Sequence, residues 1–117
     1  MAALFVTVDG APNALDPAVV RNATCFDVVT DPESADGKLE IRTELLPPPG
    51  RESVSLLDCD TKYYGTLRTA SNKVLWRASR TTRVPIRNMP GYYQRNGISS
   101  DQARSYLLAD LSRPACQ

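Results

Sequence analysis

Three cysteines, Cys25, Cys59 and Cys116, in a chain of 117 residues without histidine constrain the fold more than any other feature. No Cys-x-x-Cys spacing occurs, so a zinc site of the usual kind lacks ligands. Cys59 lies in the run Val54-Ser55-Leu56-Leu57-Asp58-Cys59-Asp60, and Cys116 follows a helix-like segment closed by Pro114. A bond between these two would tie the C-terminal tail to a mid-chain strand, the kind of staple found in small secreted domains. In the chain-entropy picture it would contribute roughly 4 kcal/mol, a large share of a small domain's stability. Cys25 is then left over in a strand-like stretch, where a buried thiol is expected. A bridge made by Cys25 instead, or an intermolecular bond, stays open.

The length suits one domain, residues 1–117, with a modest core. Nine prolines and six glycines favour short elements and turns. A strand-like run ends at the turn dipeptide Asp9-Gly10. Asp16-Pro17 permits one turn of helix over residues 16–22. Residues 25–29 read as a strand. Residues 39–45 alternate, with Leu39, Ile41 and Leu45 on one side and Glu40, Arg42 and Glu44 on the other, which predicts a half-buried strand. Pro47-Pro48-Pro49-Gly50 stops it. Residues 54–59 and 62–68 are strand-like, with Tyr63, Gly65 and Leu67 sharing a face. Residues 74–78 follow as a strand with Val74, Trp76 and Ala78 on one side, and residues 83–87 as an edge or irregular strand. Ser99-Ser100-Asp101-Gln102 has capping-box order. It opens a helix whose Ala103, Leu107 and Leu111 recur every fourth residue, flanked by Tyr106 and Leu108. The expected fold class is α+β: about six strands in an antiparallel sheet, with one C-terminal helix packed on a face.

Catalytic chemistry finds little support. A covalent mechanism needs an activated nucleophile, and with no histidine the base would fall to Lys38, Lys62, Lys73 or a carboxylate. Asp58 and Asp60 share a strand face, but such pairs are usually solvated strand ends or partners for arginine. No phosphate-binding glycine loop is present. The reading is a protein that is not an enzyme and holds no cofactor. Residues 1–59 carry four basic and ten acidic side chains, and residues 60–117 carry ten and three. Either the halves neutralise across the sheet or the second half offers a basic face. Tyr63, Tyr64, Trp76, Tyr92 and Tyr93 lie among Arg68, Arg77, Arg80, Arg83, Arg87 and Arg95. Part of that set is core. The rest suits a protein interface better than nucleic acid, and the candidate interface residues are Tyr64, Arg77, Tyr92 and Tyr93.

Four stretches resemble the bacterial surface-adhesin E-like family of small exported domains. They are Leu15-Asp16-Pro17-Ala18-Val19-Val20-Arg21-Asn22, Leu57-Asp58-Cys59-Asp60-Thr61-Lys62-Tyr63-Tyr64, the region of Trp76, and residues 103–116 running into a terminal cysteine. Cys25 and the triple proline depart from the family pattern. The resemblance implies an antiparallel sheet, a C-terminal helix tethered by a Cys59–Cys116 disulfide, and an extracytoplasmic binding module without enzymatic activity. No stretch of apolar residues is long enough to span a membrane. The opening Met1-Ala2-Ala3-Leu4-Phe5-Val6 shows no signal peptide, so the expectation is a chain that starts after a removed signal, with a cytoplasmic protein as the alternative. The functional expectation is therefore a periplasmic or secreted protein-binding module. The alternatives are a periplasmic inhibitor or immunity protein that blocks a toxin or hydrolase, and a cytosolic or phage-type accessory protein that binds nucleic acid.

Overall fold

A computed structural model describes residues 3–12, 14–47, 59–114 and 116. Strand β1 (Ala3–Val8) turns through Asp9 (φ 51°) and Gly10 (φ 82°) into the two-residue β2 (Ala11–Pro12). Two successive left-handed residues are what a tight hairpin needs. Helix α1 (Pro17–Ala23) starts as its sequence requires: Pro17 sits in the first turn and Asp16 Oδ1 accepts the Ala18 N–H at 2.9 Å. β3 (Asp27–Val28), a 3-10 turn at Pro32–Ser34 and β4 (Gly37–Leu46) follow. Then come β5 (Asp60–Thr69), β6 (Val74–Thr81), the short pair β7 (Val84–Pro85) and β8 (Tyr93–Gln94), and helix α2 (Ser100–Ser112).

The main sheet has six strands in the order β2-β1-β4-β5-β6, with β3 beside β1. It is mostly antiparallel, as expected, but β1 runs parallel to β4 and to β3. The C-terminal helix packs on β5 and β6, and α1 packs on α2. Alternation decides which side chains meet the helices. Leu4 and Val6 of β1, Leu39 and Ile41 of β4, and Tyr63 and Leu67 of β5 are buried with Val20 of α1 and Ala103, Leu107, Leu108 and Leu111 of α2. Ser99 caps α2 by accepting the Gln102 N–H at 3.1 Å. Gly65 lets α2 approach closely, since a Cβ there would stand 2.5 Å from Leu111 Cδ1.

Three expectations are corrected. The alternation of residues 39–45 holds at Leu39 and Ile41, but Leu45, near the end of β4 and outside the core cluster, is 50% exposed. Trp76 shares the helix-facing side yet is 44% exposed, because β6 is the sheet's edge. The third correction concerns the staple. The disulfide joins Cys25 to Cys116, with Cα atoms 5.9 Å apart, and Cys59 takes no part in it.

The geometry of α2 explains the pairing. Thr24 ends α1 by giving its N–H (2.9 Å) and its hydroxyl (2.7 Å) to the Val20 carbonyl, which sets Cys25 at that helix end. The last turn of α2 continues as Arg113 N–H to Ala109 O and Cys116 N–H to Ser112 O, at 3.0 and 2.8 Å. Packing of α1 on α2 brings the C-terminal ends of the two helices together. Cys59 lines a cavity of about 470 Å³ with Ser99, Ser100 and Gln102, at the opposite end of α2. Thirteen helical residues span about 20 Å, far beyond the reach of a disulfide. The strand expected over residues 54–59 falls mostly on residues 54–58, Asp58 among them, which lie outside the described residues.

Candidate functional site

The face of the sheet turned away from the helices is built by the even-numbered residues of β4 and β5 and by Arg77 and Ser79 of β6. Register aligns them in rows across three strands: Glu40, Thr66 and Arg77; Arg42, Tyr64 and Ser79; Glu44, Lys62 and Thr81. Glu40, Arg42, Tyr64, Thr66, Arg68 and Arg77 line a shallow cleft of about 280 Å³ on this face. That is small for a drug-sized ligand.

Tyr64 is the fixed centre. Its hydroxyl donates to Glu44 Oε2 at 2.7 Å. Lys62 Nζ lies 4.8 Å and Arg42 Cζ 5.8 Å from its ring centroid, within range of cation–π attraction. Arg68 donates from Nη1 to the Asn72 carbonyl at 3.2 Å and holds Nε 3.3 Å from Glu40 Oε1. That second contact is an ion pair by distance, but not by angle a hydrogen bond, and the buried Nε has no hydrogen-bond partner among the described residues. Arg77 is exposed and makes no hydrogen bond, ion pair or ring contact among the described residues. Around the cleft the face carries Lys38, Arg42, Lys62, Arg68 and Arg77 against Glu40 and Glu44, a net positive field.

The four expected interface residues fall in two places. Tyr64 and Arg77 share the cleft. Tyr92 and Tyr93 sit at the β7–β8 corner, 62% and 50% exposed, with Arg83 Cζ 5.9 Å from the Tyr93 ring centroid. Arg42 and Glu40 were legible only as the polar side of an alternating strand. Their place beside Tyr64 comes from the β4–β5 register, which no local signal encodes.

Asp60 has a structural task. Its side chain is fully buried. Oδ1 accepts from the Thr82 hydroxyl and the Asn96 N–H, both at 2.9 Å, and Oδ2 accepts from Arg83 Nε at 3.2 Å. Burial pushes this carboxyl up, but the Asn96, Thr82 and Arg83 donors outweigh it and hold the group below the ordinary Asp value. No cluster of three metal-ligating side chains occurs among the described residues. Nor is any described helix long and apolar enough to cross a membrane.

No family model and no curated protein matches the chain. Among solved structures, PelC from Paraburkholderia phytofirmans, determined as a dodecamer, is similar at 14% identity and a TM-score of 0.49, over 97% of this chain and 84% of that one. A variant of the same protein gives 15% and 0.47, over 97% and 85%. An uncharacterized lipoprotein B from Nitrosomonas europaea is similar at 15% identity and 0.34, over 97% and 79%. These similarities are loose and carry no functional weight.

Proposed function

We propose that this protein is a small, exported, non-enzymatic module that binds another protein through the open face of its sheet. The observation that carries the reading is the cleft around Tyr64, where Arg77 offers an exposed guanidinium that no described residue engages by hydrogen bond, ion pair or ring contact. Arginine and tyrosine are the side chains that most often anchor protein interfaces. The Cys25–Cys116 bond supports an oxidising compartment, since such bonds are rare in cytosolic proteins.

A benzophenone side chain placed at Thr66, inside the cleft, tests this in the native cell. The expected result is a cross-link to one discrete protein, lost when Tyr64→Ala and Arg77→Ala are combined. Absence of any cross-linked protein from the envelope and secreted fractions would overturn the reading.

A further inference from the structure

We infer that the partner is held as an extended segment that adds to the outer edge of β6, with acidic and apolar side chains alternating along it. The inference rests on the binding reading above and gives it a mode and a chemistry.

The two edges of the sheet differ. Beyond β1 the sheet is finished by the two-residue strands β2 and β3. Its other edge is β6, eight residues long and paired on one side only, with β5. Among the described residues no strand pairs with its outer side. A register shift lies at Leu67/Arg68, and beyond it six consecutive pairs, from Leu67↔Trp76 to Lys62↔Thr81, run regularly. Natural edges are commonly blunted by lysine, proline or an inward charge. This strand, Val-Leu-Trp-Arg-Ala-Ser-Arg-Thr, has neither lysine nor proline. Its helix-side charge, Arg80, is already neutralised by Asp110 through bonds of 2.6 and 3.0 Å.

Charge and exposure name the occupant. A strand added to β6 would lie about 4.8 Å from it, with successive side chains on opposite faces. On the open face its residue beside Arg77 would meet a guanidinium that no described residue engages, in the row of Glu40 and Thr66, and opposite charges on neighbouring strands attract. Lys62, Arg68 and Arg42 stand farther along the same face, and their field acts over about a Debye length. On the helix face the neighbour is Trp76, with much of its ring surface uncovered. An apolar side chain beside it would cover that surface. Main-chain bonds to the edge and alternating side-chain contacts are the elements of β-strand addition. A second copy of this chain fits less well, because it would set two net-positive faces edge to edge.

The test uses the oxidised full chain and labelled peptides of about ten residues, enough to cover the edge. One alternates Glu with Val, a second replaces Glu by Gln, and a third replaces it by Lys. The Glu peptide is expected to bind and to slow amide exchange within Val74–Thr81. The Gln peptide should bind at least about ten-fold weaker. Arg77→Glu, at a side chain with no hydrogen bond or ion pair to lose among the described residues, should invert the preference toward the Lys peptide. Equal binding of the three peptides, or binding without protection of β6, would overturn the inference. So would protection of β6 that rises with protein concentration alone, which would assign the edge to a second copy. A Thr66 cross-link that persists beside any of those outcomes leaves the binding face standing and removes only the strand-addition mode.

Discussion

The two ends of α2 are fastened by different physics. At its C-terminal end Cys116 is covalently bound to Cys25. At its N-terminal end the fastening among the described residues is non-covalent. There Asp60 takes the Asn96 N–H, and the Ile98 N–H reaches the Thr82 carbonyl at 3.2 Å, one residue before the helix cap. The covalent end acts chiefly on the unfolded chain by closing a loop with a separation of 91 residues. The other end acts on the folded state, where a buried carboxylate gathers three donors. One fastener therefore answers to reductant and the other to acid.

Cutting the covalent end should have the largest effect. Cys25→Ser is expected to cost about 4.6 kcal/mol in denaturant unfolding, the loop-closure value for a ring of this size. Cys59→Ser should leave the bridge in place, which non-reducing peptide mapping checks directly.

Asp60→Ala attacks the other end. It takes the acceptor from Arg83 Nε, the Thr82 hydroxyl and the Asn96 N–H, while Arg83 keeps its bonds to the Leu46 and Pro47 carbonyls, and should cost about 3 kcal/mol. Acid should mimic it in part. The folded value of Asp60 lies below its unfolded value, so its contribution is full above about pH 4 and is lost as pH falls through the depressed folded value. A thermal melt series from pH 5 to about pH 2 should show this decline in the parent protein and a weaker one in the variant.

Gly65→Val probes the C-terminal half of the helix, where Leu111 leaves no room for a side chain, and should cost about 2 kcal/mol by overpacking. The smallest effect is expected on the outer surface. The Arg80 guanidinium holds the Asp110 carboxyl below its usual range, yet Arg80 is nearly half exposed. Asp110→Ala should therefore cost under about 1 kcal/mol, and less in salt.

Local signals accounted for the elements but not for their meeting points. The cap at Ser99, the stripe of Ala103, Leu107 and Leu111, the Asp16-Pro17 start and the Tyr63, Gly65, Leu67 face all follow from periodicities of 3.6 or 2 and from capping chemistry. The α+β class follows from them. Which cysteine faces Cys116 depends on α1 packing against the far end of α2, a contact between segments distant in sequence. The parallel placement of β1 beside β4 has the same character. At the open face, Tyr64 and Arg77 stand out by residue type, whereas Arg42 and Arg68 become part of the cleft only once β4, β5 and β6 are in register. Asp60 reads in sequence as a solvated strand end or a partner for arginine, and the second holds, with Arg83 as the partner. Its burial depends on Arg83 and Asn96, which reach it from beyond the β5–β6 hairpin.

The position of the bridge also sorts the backbone into a closed part and an open part. Residues 26–115 lie within a covalent ring, while β1, β2 and α1 hang from Cys25 as a linear arm. A protease that hydrolyses one peptide bond inside the ring yields two pieces still joined, visible as fragments only after reduction. One cut in the arm severs whatever precedes it, and with β1 go Leu4 and Val6, two of the most deeply buried side chains. Endurance against digestion is therefore decided by the short arm rather than by the longer ring.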